Sequence, residues 1–295
     1  MKVLKENFPS IRVIEFESNY GFAGGYNKAL AQIEAEYYVL LNSDVEVTPN
    51  WLEPLISYMD ANQQIAACQP KILSYNKRTY FEHAGAAGGF IDRFGFPFCR
   101  GRILGTLEED NNQYDNVIEI FWATGACLFI RSNVYWKVGG LDDEFFAHME
   151  EIDLCWRIKS RGYHIVCVPA STVFHIGGGT LNVESPQKTY LNFRNNLLLL
   201  YKNLPTKLLS KTLFWRKIFD YTAAIQLFMT GKPRNAMSVF KARSDFQKMK
   251  SGFDEKRKEN ILYSTSESFD EILQESIVLD YYFKYKKTYN QIFKK

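Results

Sequence analysis

Apolar residues fall in short blocks along the first two thirds of the chain, alternating between strand-like and helix-like spacing. Residues 11–16 read as a strand, 23–33 as a helix, Tyr37–Leu41 as a strand, 51–61 as a helix and 65–68 as a strand. This alternation predicts a parallel, doubly wound α/β sheet. Residues 84–105 are glycine-rich, contain Asp92, Pro97 and Arg100, and have no period, which predicts a long surface excursion of the kind that carries substrate contacts. Regular spacing resumes at 118–122, turns at Thr124-Gly125, runs through Leu128-Phe129-Ile130 and returns at Ile165-Val166-Cys167-Val168, before Pro169. No internal repeat or low-complexity tract is present.

A change of character follows. Between Lys202 and Lys250 there are eleven Lys or Arg and only two acids, Asp220 and Asp245, so the net charge of +3 conceals a basic segment on an otherwise acidic chain. Within it Phe214, Ile218, Tyr221, Ile225 and Phe228 recur at helical intervals, flanked by Lys211, Arg216, Lys217, Lys232 and Arg234. An amphipathic basic helix of this kind suits either an anionic membrane surface or its own domain; nucleic acid attracts the same charge but is not the expected partner. No apolar run approaches the roughly 20 residues that span a bilayer. The expected division is therefore 1–205 as an α/β domain and 206–295 as a helical extension.

Composition adds limits. With 46% apolar and 16% aromatic residues in 295, the chain has enough to build a real core. Residues 1–5 read as a helix fragment and no export signal is evident, so the expected location is cytoplasmic. Cys68, Cys99, Cys127, Cys155 and Cys167 are odd in number and sit in apolar sequence, which predicts buried thiols rather than disulfides or a zinc site.

Three groups of residues carry candidate chemistry. Asn42-Ser43-Asp44 closes the apolar block Tyr37–Leu41, so Asp44 lies where α/β sheets bind ligands; a carboxylate there either helps hold a hard divalent cation on a diphosphate or closes an Asx-turn. His175, after Val173-Phe174 and before Gly177-Gly178-Gly179, is a second metal-ligand candidate, or a hydrogen-bonded histidine at a strand end; an imidazole suits Mn2+ better than Mg2+. Glu150, Glu151 and Asp153 follow the aromatic Phe145-Phe146 and open a helix-like run. Glu151 fits a general base with a raised pKa, and Glu150 and Asp153 either orient the acceptor or cap the helix. The stretch from Asn19 through Gly21, Phe22 and Gly24 to Asn27 lies between a strand and a helix, as a phosphate-cradling turn or as punctuation. His83, His148 and His164 have no site-like spacing.

Taken together, Asn19-Tyr20-Gly21-Phe22-Ala23-Gly24-Gly25-Tyr26-Asn27, Leu41-Asn42-Ser43-Asp44, Trp122-Ala123-Thr124-Gly125-Ala126, the block from Phe145 to Arg157, and Val173-Phe174-His175 resemble family 2 glycosyltransferases of the rhamnosyltransferase type, over roughly residues 1–205. The resemblance implies a GT-A fold with a Rossmann-like sheet, and inverting transfer from a nucleotide-diphosphate sugar, UDP- or dTDP-linked, to a glycan or lipid-linked acceptor in cell-surface polysaccharide or lipopolysaccharide assembly. It places Asp44 on metal and diphosphate, Glu151 at the base position, His175 as a further metal contact, and Asn19, Gly21, Phe22, Gly24, Asn27 and Asn42 around the donor. Trp122, Thr124 and Gly125 would shape the sugar and acceptor pocket. Arg194 would pair with diphosphate or brace a helix. Two departures stand out. Glu150-Glu151 replaces the Glu-Asp of many relatives, and the opening strand, helix and strand that hold the base are missing, so the sheet is expected to be N-terminally incomplete with an exposed edge. The rival readings are a noncatalytic GT-A-like scaffold or inactive fragment, and nucleotidyl transfer.

Overall fold

A computed structural model describes residues 6–177 and 185–293; the helix expected at 1–5 and the glycines Gly178 and Gly179 lie outside the described residues. The strands are β1 (Tyr37–Leu41), β2 (Val45–Val47), β3 (Ile65–Ser74), β4 to β7 (Gly89–Asp92, Pro97–Cys99, Arg102–Ile103 and Thr106–Leu107), β8 (Ile118–Glu119), β9 (Cys127–Arg131), β10 (His164–His175) and β11 (Ile272–Leu273). The helices are α1 (Gly21–Leu30), α2 (Glu53–Ala61), α3 (Ser132–Lys137), α4 (Glu150–Ser160), α5 (Pro186–Asn203), α6 (Thr206–Met229), α7 (Pro233–Met249), α8 (Asp254–Leu262), α9 (Ile277–Tyr282) and α10 (Tyr289–Phe293).

The central sheet runs in the order β1-β9-β3-β10-β2, with β8 added to β10. It is mixed, which corrects the expectation of a parallel sheet. Only β3 and β10 pair in parallel; β9 enters antiparallel between β1 and β3, and β2 runs antiparallel to β10. Since β1 and β3 both oppose β9, they share a direction, as the alternation of blocks implied, but a strand contributed from later in the chain separates them. Side chains of β9 obey the period of two: Leu128 and Ile130 join the main core, whereas Phe129 joins Leu55, Met59 and Cys68 under α2. Strand β10 continues through Pro169 by a register shift between Val168 and Thr172, which carries it on to His175.

Two further expectations change. Residues 11–16 form no strand, and Ile11, Val13 and Phe16 are exposed; alternation of apolar side chains is insufficient where the backbone finds no neighbouring strand. The outer edge of β1 has no partner among the described residues. Residues 84–105 are buried rather than superficial: they fold into β4, β5 and β6, part of a second sheet in the order β11-β4-β5-β6-β7. Glycine explains how. A Cβ on Gly89 would lie 2.2 Å from the Trp122 ring, so only glycine lets β4 pass so close to that indole.

The C-terminal helices share the main core instead of hanging from it. Leu197, Leu198, Leu199 and Leu200 of α5, Phe246 of α7, Phe253, Leu273 and Ile292 belong to one cluster with the sheet. At its centre is an ionic network. Lys202 Nζ lies 2.6 Å from Asp142 Oδ2 and 2.8 Å from Asp153 Oδ2; Arg157 and Asn203 complete the shell of Asp153, and Lys256 reaches Asp142. The five cysteines are buried and reduced, as expected.

Removing one partner of a buried ion network strands the others without compensation. Lys202→Met is therefore expected to cost about 3 kcal/mol of unfolding free energy, read from urea denaturation. A loss below about 1 kcal/mol would show that Asp142 and Asp153 do not depend on that ammonium.

Candidate active site

Asp44 and His175 meet because β2 pairs with the end of β10. The register sets Val45 opposite His175, Asp44 O accepts from Ile176 N at 3.0 Å, and Asn42 N donates to Ala126 O at 3.0 Å. The side chains follow: Asp44 Oδ1 is 3.1 Å from His175 Nε2. On the other side of the imidazole, Nδ1 lies 3.5 Å from Glu82 Oε2, in ionic contact just beyond good hydrogen-bond length. Glu82 is buried and is also held by the N–H of Ala84. Burial pushes the Glu82 pKa up, but His175 and the Ala84 amide pull it down further; burial depresses that of His175, and the two carboxylates raise it past its ordinary value.

The pair fits a hard divalent ion. At 3.1 Å the two atoms share a hydrogen bond, and the same oxygen and nitrogen form a donor pair that a divalent ion could take in place of the shared proton. Among the described residues no third His, Cys, Asp or Glu joins them, so substrate oxygens and water would fill the remaining positions. The imidazole favours manganese over magnesium.

The acidic loop is built on strained backbone. Phe146, His148 and Met149 all have φ between 64° and 74°, unusual for side chains of that bulk. Helix α5 clamps it: Asn195 Nδ2 donates to the carbonyls of Phe145, Ala147 and His148 at 2.7–2.9 Å, and Arg194 Nη2 donates to those of Glu144 and Phe145. Arg194 thus takes the bracing role. The loop delivers Glu150 and Glu151 at the first turn of α4. Glu150 is almost fully buried, and each of the two keeps one carboxyl oxygen out of solvent with no hydrogen-bond partner. Burial raises both pKa values, and the charge of Glu151 lifts Glu150 further. Asp153 departs from its expected role: buried between Arg157, Lys202 and Asn203 and held well below the usual carboxylate range despite that burial, it is a structural anchor rather than a free acid.

The glycine-rich stretch also proves structural. Asn19 Oδ1 accepts from Gly21 N, while Phe22 N and Ala23 N both donate to Phe146 O, so the first amides of α1 are already occupied and cradle no phosphate. Gly21, at φ +70°, is required because a Cβ would lie 2.4 Å from Phe146 O. A Cβ on Gly24 would lie 3.1 Å from that of Tyr20, and Asn27 spends its amide on Leu141, Asp143 and Tyr135. The stretch fixes the acidic loop from below. Trp122 is buried with Nε1 donating to Phe90 O; Thr124 Oγ1 accepts from Ala126 N; Phe22 packs on Gly125. Their neighbours tie the segment to both sides: Ala126 O accepts from Asn42 N, and Ala123 N donates to Cys155 Sγ of α4.

Sequence reasoning missed Glu82 and Lys188. Lys188, in the first turn of α5, is half-buried; burial lowers its pKa and the charge of Glu82 raises it, while Lys188 in turn depresses the ring of His148. It therefore lies in electrostatic range of Glu82, which stands behind His175, and of His148 in the acidic loop. His148, set aside as structural, has a buried, unpartnered Nε2 and a pKa pushed down to about 4. Spacing signalled none of these, since Glu82 and Lys188 come from unrelated parts of the chain.

Comparison with known proteins agrees with this geometry. Residues 1–139 match the family model described as Glycosyl transferase family 2. The low-salt glycan biosynthesis hexosyltransferase Agl10 of Haloferax volcanii is 25% identical, over 64% of this chain and 59% of its own. The N-acetylglucosaminyl-diphospho-decaprenol L-rhamnosyltransferase of Mycobacterium tuberculosis is 23% identical, over 58% of this chain and 60% of its own. The chain thus spans about six tenths of the length of these curated relatives. Among solved structures, GalNAc-T7 with UDP, GalNAc and Mn2+ superposes with a TM-score of 0.52 at 16% identity, covering 85% of this chain and 46% of that one. The sheet order and that superposition agree on a GT-A fold, and residues 1–139 of this chain are similar to the family 2 glycosyltransferases.

Proposed function

We propose that this domain transfers a sugar from a nucleotide-diphosphate donor, UDP- or dTDP-linked, to an acceptor hydroxyl with inversion at the anomeric carbon. The observation that carries the reading is the pairing of Asp44 and His175 at 3.1 Å, with two glutamates at the first turn of α4 that each keep one buried carboxyl oxygen without a hydrogen-bond partner. Asp44 and His175 would hold the divalent ion, with Mn2+ the better match. When bound, that ion supplies positive charge to the diphosphate as it departs. Lys188, in electrostatic range of Glu82 behind His175, would add positive charge at that end of the site. Glu82 fixes His175 by facing Nδ1, which leaves Nε2 for the ion. Glu151 accepts the proton of the acceptor hydroxyl as its oxygen bonds to the anomeric carbon and the bond to the diphosphate breaks on the opposite face. The products are the glycoside, nucleoside diphosphate and protonated Glu151, with no glycosyl-enzyme intermediate. Glu150, whose carboxyl burial and the charge of Glu151 push toward its protonated form, would orient the sugar or acceptor.

The named relatives work in glycan assembly, and one acts on a diphospho-decaprenol. We accordingly assign a glycan or lipid-linked acceptor in cell-surface polysaccharide or lipopolysaccharide assembly, with the chain working in the cytoplasm at the inner face of the membrane, residues 1–205 as the catalytic unit and 206–295 as the region that docks it.

Glu151→Gln is expected to lower kcat by at least 100-fold while leaving donor affinity within about threefold. Retained turnover would favour nucleotidyl transfer, which has no need of this base. Because burial raises the Glu151 pKa, its ionised, proton-accepting form is lost as pH falls through that raised value. The acid limb of kcat/KM should therefore lie above the ordinary glutamate value of about 4.3; a rate flat down to pH 4 would contradict the assignment.

Mn2+ affinity, measured by titration in the presence of UDP or dTDP, is expected to fall at least tenfold in Asp44→Ala and in His175→Ala, and about tenfold in Glu82→Gln. A folded wild-type chain that binds no nucleotide diphosphate with Mn2+ would support the noncatalytic scaffold.

A further inference from the structure

Helix α6 has two faces of opposite chemistry. Thr212, Arg216, Asp220 and Ala224, spaced by four, are buried against the domain; Arg216, expected beside the apolar stripe, instead bonds Asn196 and Asp220 from within. The opposite face carries Phe214, Ile218, Ile225 and Phe228, all exposed, with Phe228 at 68% and Met229 at 80%. Met237 and Phe240 of α7 are also exposed, and Tyr221 and Phe240 stack at 5.5 Å, which joins the apolar faces of the two helices. A contiguous apolar surface of this kind on a folded domain marks a contact site.

The charge around it has one sign. Lys211, Lys217, Arg234 and Lys241 are exposed on the same two helices. Their two acids are withdrawn: Asp220 is buried between Arg216 and Arg243, and Asp245 is bonded to Lys248 and Tyr190. An anionic bilayer offers both an apolar interior and a negative surface, the complement of this face. Among the described residues no helix is long and apolar enough to cross a membrane, so the contact is one of lying on the surface.

The hairpin also has a position. Asn235 Nδ2 donates to Thr189 Oγ1 at 2.8 Å, which sets the start of α7 against the first turn of α5. The start of α7, next to the tip formed by Phe228, Met229 and Met237, therefore adjoins the turn that also carries Lys188.

We propose that the α6–α7 hairpin docks this chain on an anionic lipid surface, with Ile225, Phe228, Met229 and Met237 entering the headgroup boundary and the four basic side chains meeting lipid phosphates. This brings the mouth of the candidate active site to the bilayer, where a lipid-borne acceptor would present its hydroxyl. The docking stands on the surface alone; the presentation of the acceptor rests on the transferase reading.

The test is co-sedimentation of the full chain with vesicles of phosphatidylcholine containing 30% phosphatidylglycerol, against phosphatidylcholine alone, in a salt series starting from about 0.1 M, where long-range nonspecific attraction is already screened. Binding is expected to the anionic vesicles, to fall at least about tenfold in Ile225→Asp/Phe228→Asp, and to fall with salt more steeply in the wild type than in Lys211→Glu/Lys217→Glu. Both variants lie on the exposed face, and thermal unfolding like that of the wild type keeps the comparison valid; a variant that fails to fold is replaced by Phe228→Ser, expected to bind severalfold more weakly. Absence of anionic-vesicle binding, equal binding by the folded variants, or occupation of this face by a second copy of the chain in sedimentation equilibrium would each overturn the proposal. Loss of vesicle binding with UDP–Mn2+ binding intact overturns the docking alone, and the converse overturns the transferase reading alone.

Discussion

A carboxylate out of water must be paired, protonated or both, and the acids near the candidate site divide between the two outcomes. Asp142 and Asp153 are paired by Lys202, Arg157 and Lys256, and Glu82 by His175 and the Ala84 amide. Glu150 and Glu151 are not paired, and burial raises their pKa values. That difference separates the charges that hold the fold from those left available for chemistry. The paired acids fix the acidic loop to α5, and the unpaired ones carry a proton affinity that a solvent-exposed glutamate would lack.

Helix α5 is the element through which these parts meet. Its first turn supplies Lys188, its middle supplies Arg194 and Asn195 to the strained carbonyls of the acidic loop, and its end supplies Lys202 to the buried acids. Asn196, from the same helix, reaches Gly95 of the second sheet and receives Arg216 of α6. A displacement of α5 would therefore disturb the base, the lysine and the basic hairpin together. The Asp44–His175 pair depends on something different, the short antiparallel contact between β2 and the far end of β10, and it would survive changes in the helical layer that displace the acidic loop.

Much of this was legible in the sequence. Asp44 follows an apolar strand, His175 closes another, and Glu151 opens a helix after an aromatic pair; each position is set by local periodicity, and the structure puts the first two in contact. The stripe on α6 was equally readable, although whether it faced the domain or the solvent was not: the helix does both, with the buried face resting on Arg216 and Asp220. What could not be read depends on contacts distant in sequence. Strand β9 enters the sheet between β1 and β3, Glu82 stands behind His175, and Lys188 arrives from the next helix. The glycine-rich stretch misled for a related reason. Its free amides invite a phosphate, yet Phe146 O already accepts from two of them. In residues 84–105, glycine turns hide the period of strands that are in fact buried.

The claim on which the account rests is that the cation pair and the acidic loop serve one cavity. A crystal structure of the chain soaked with MnCl2 and UDP, with anomalous data collected near the manganese edge, tests it most directly. The account predicts a manganese peak at Asp44 and His175, with the nucleotide beside it and the Glu151 carboxyl open to the same cavity. Manganese bound away from Asp44, or Glu151 walled off from the nucleotide, would contradict it.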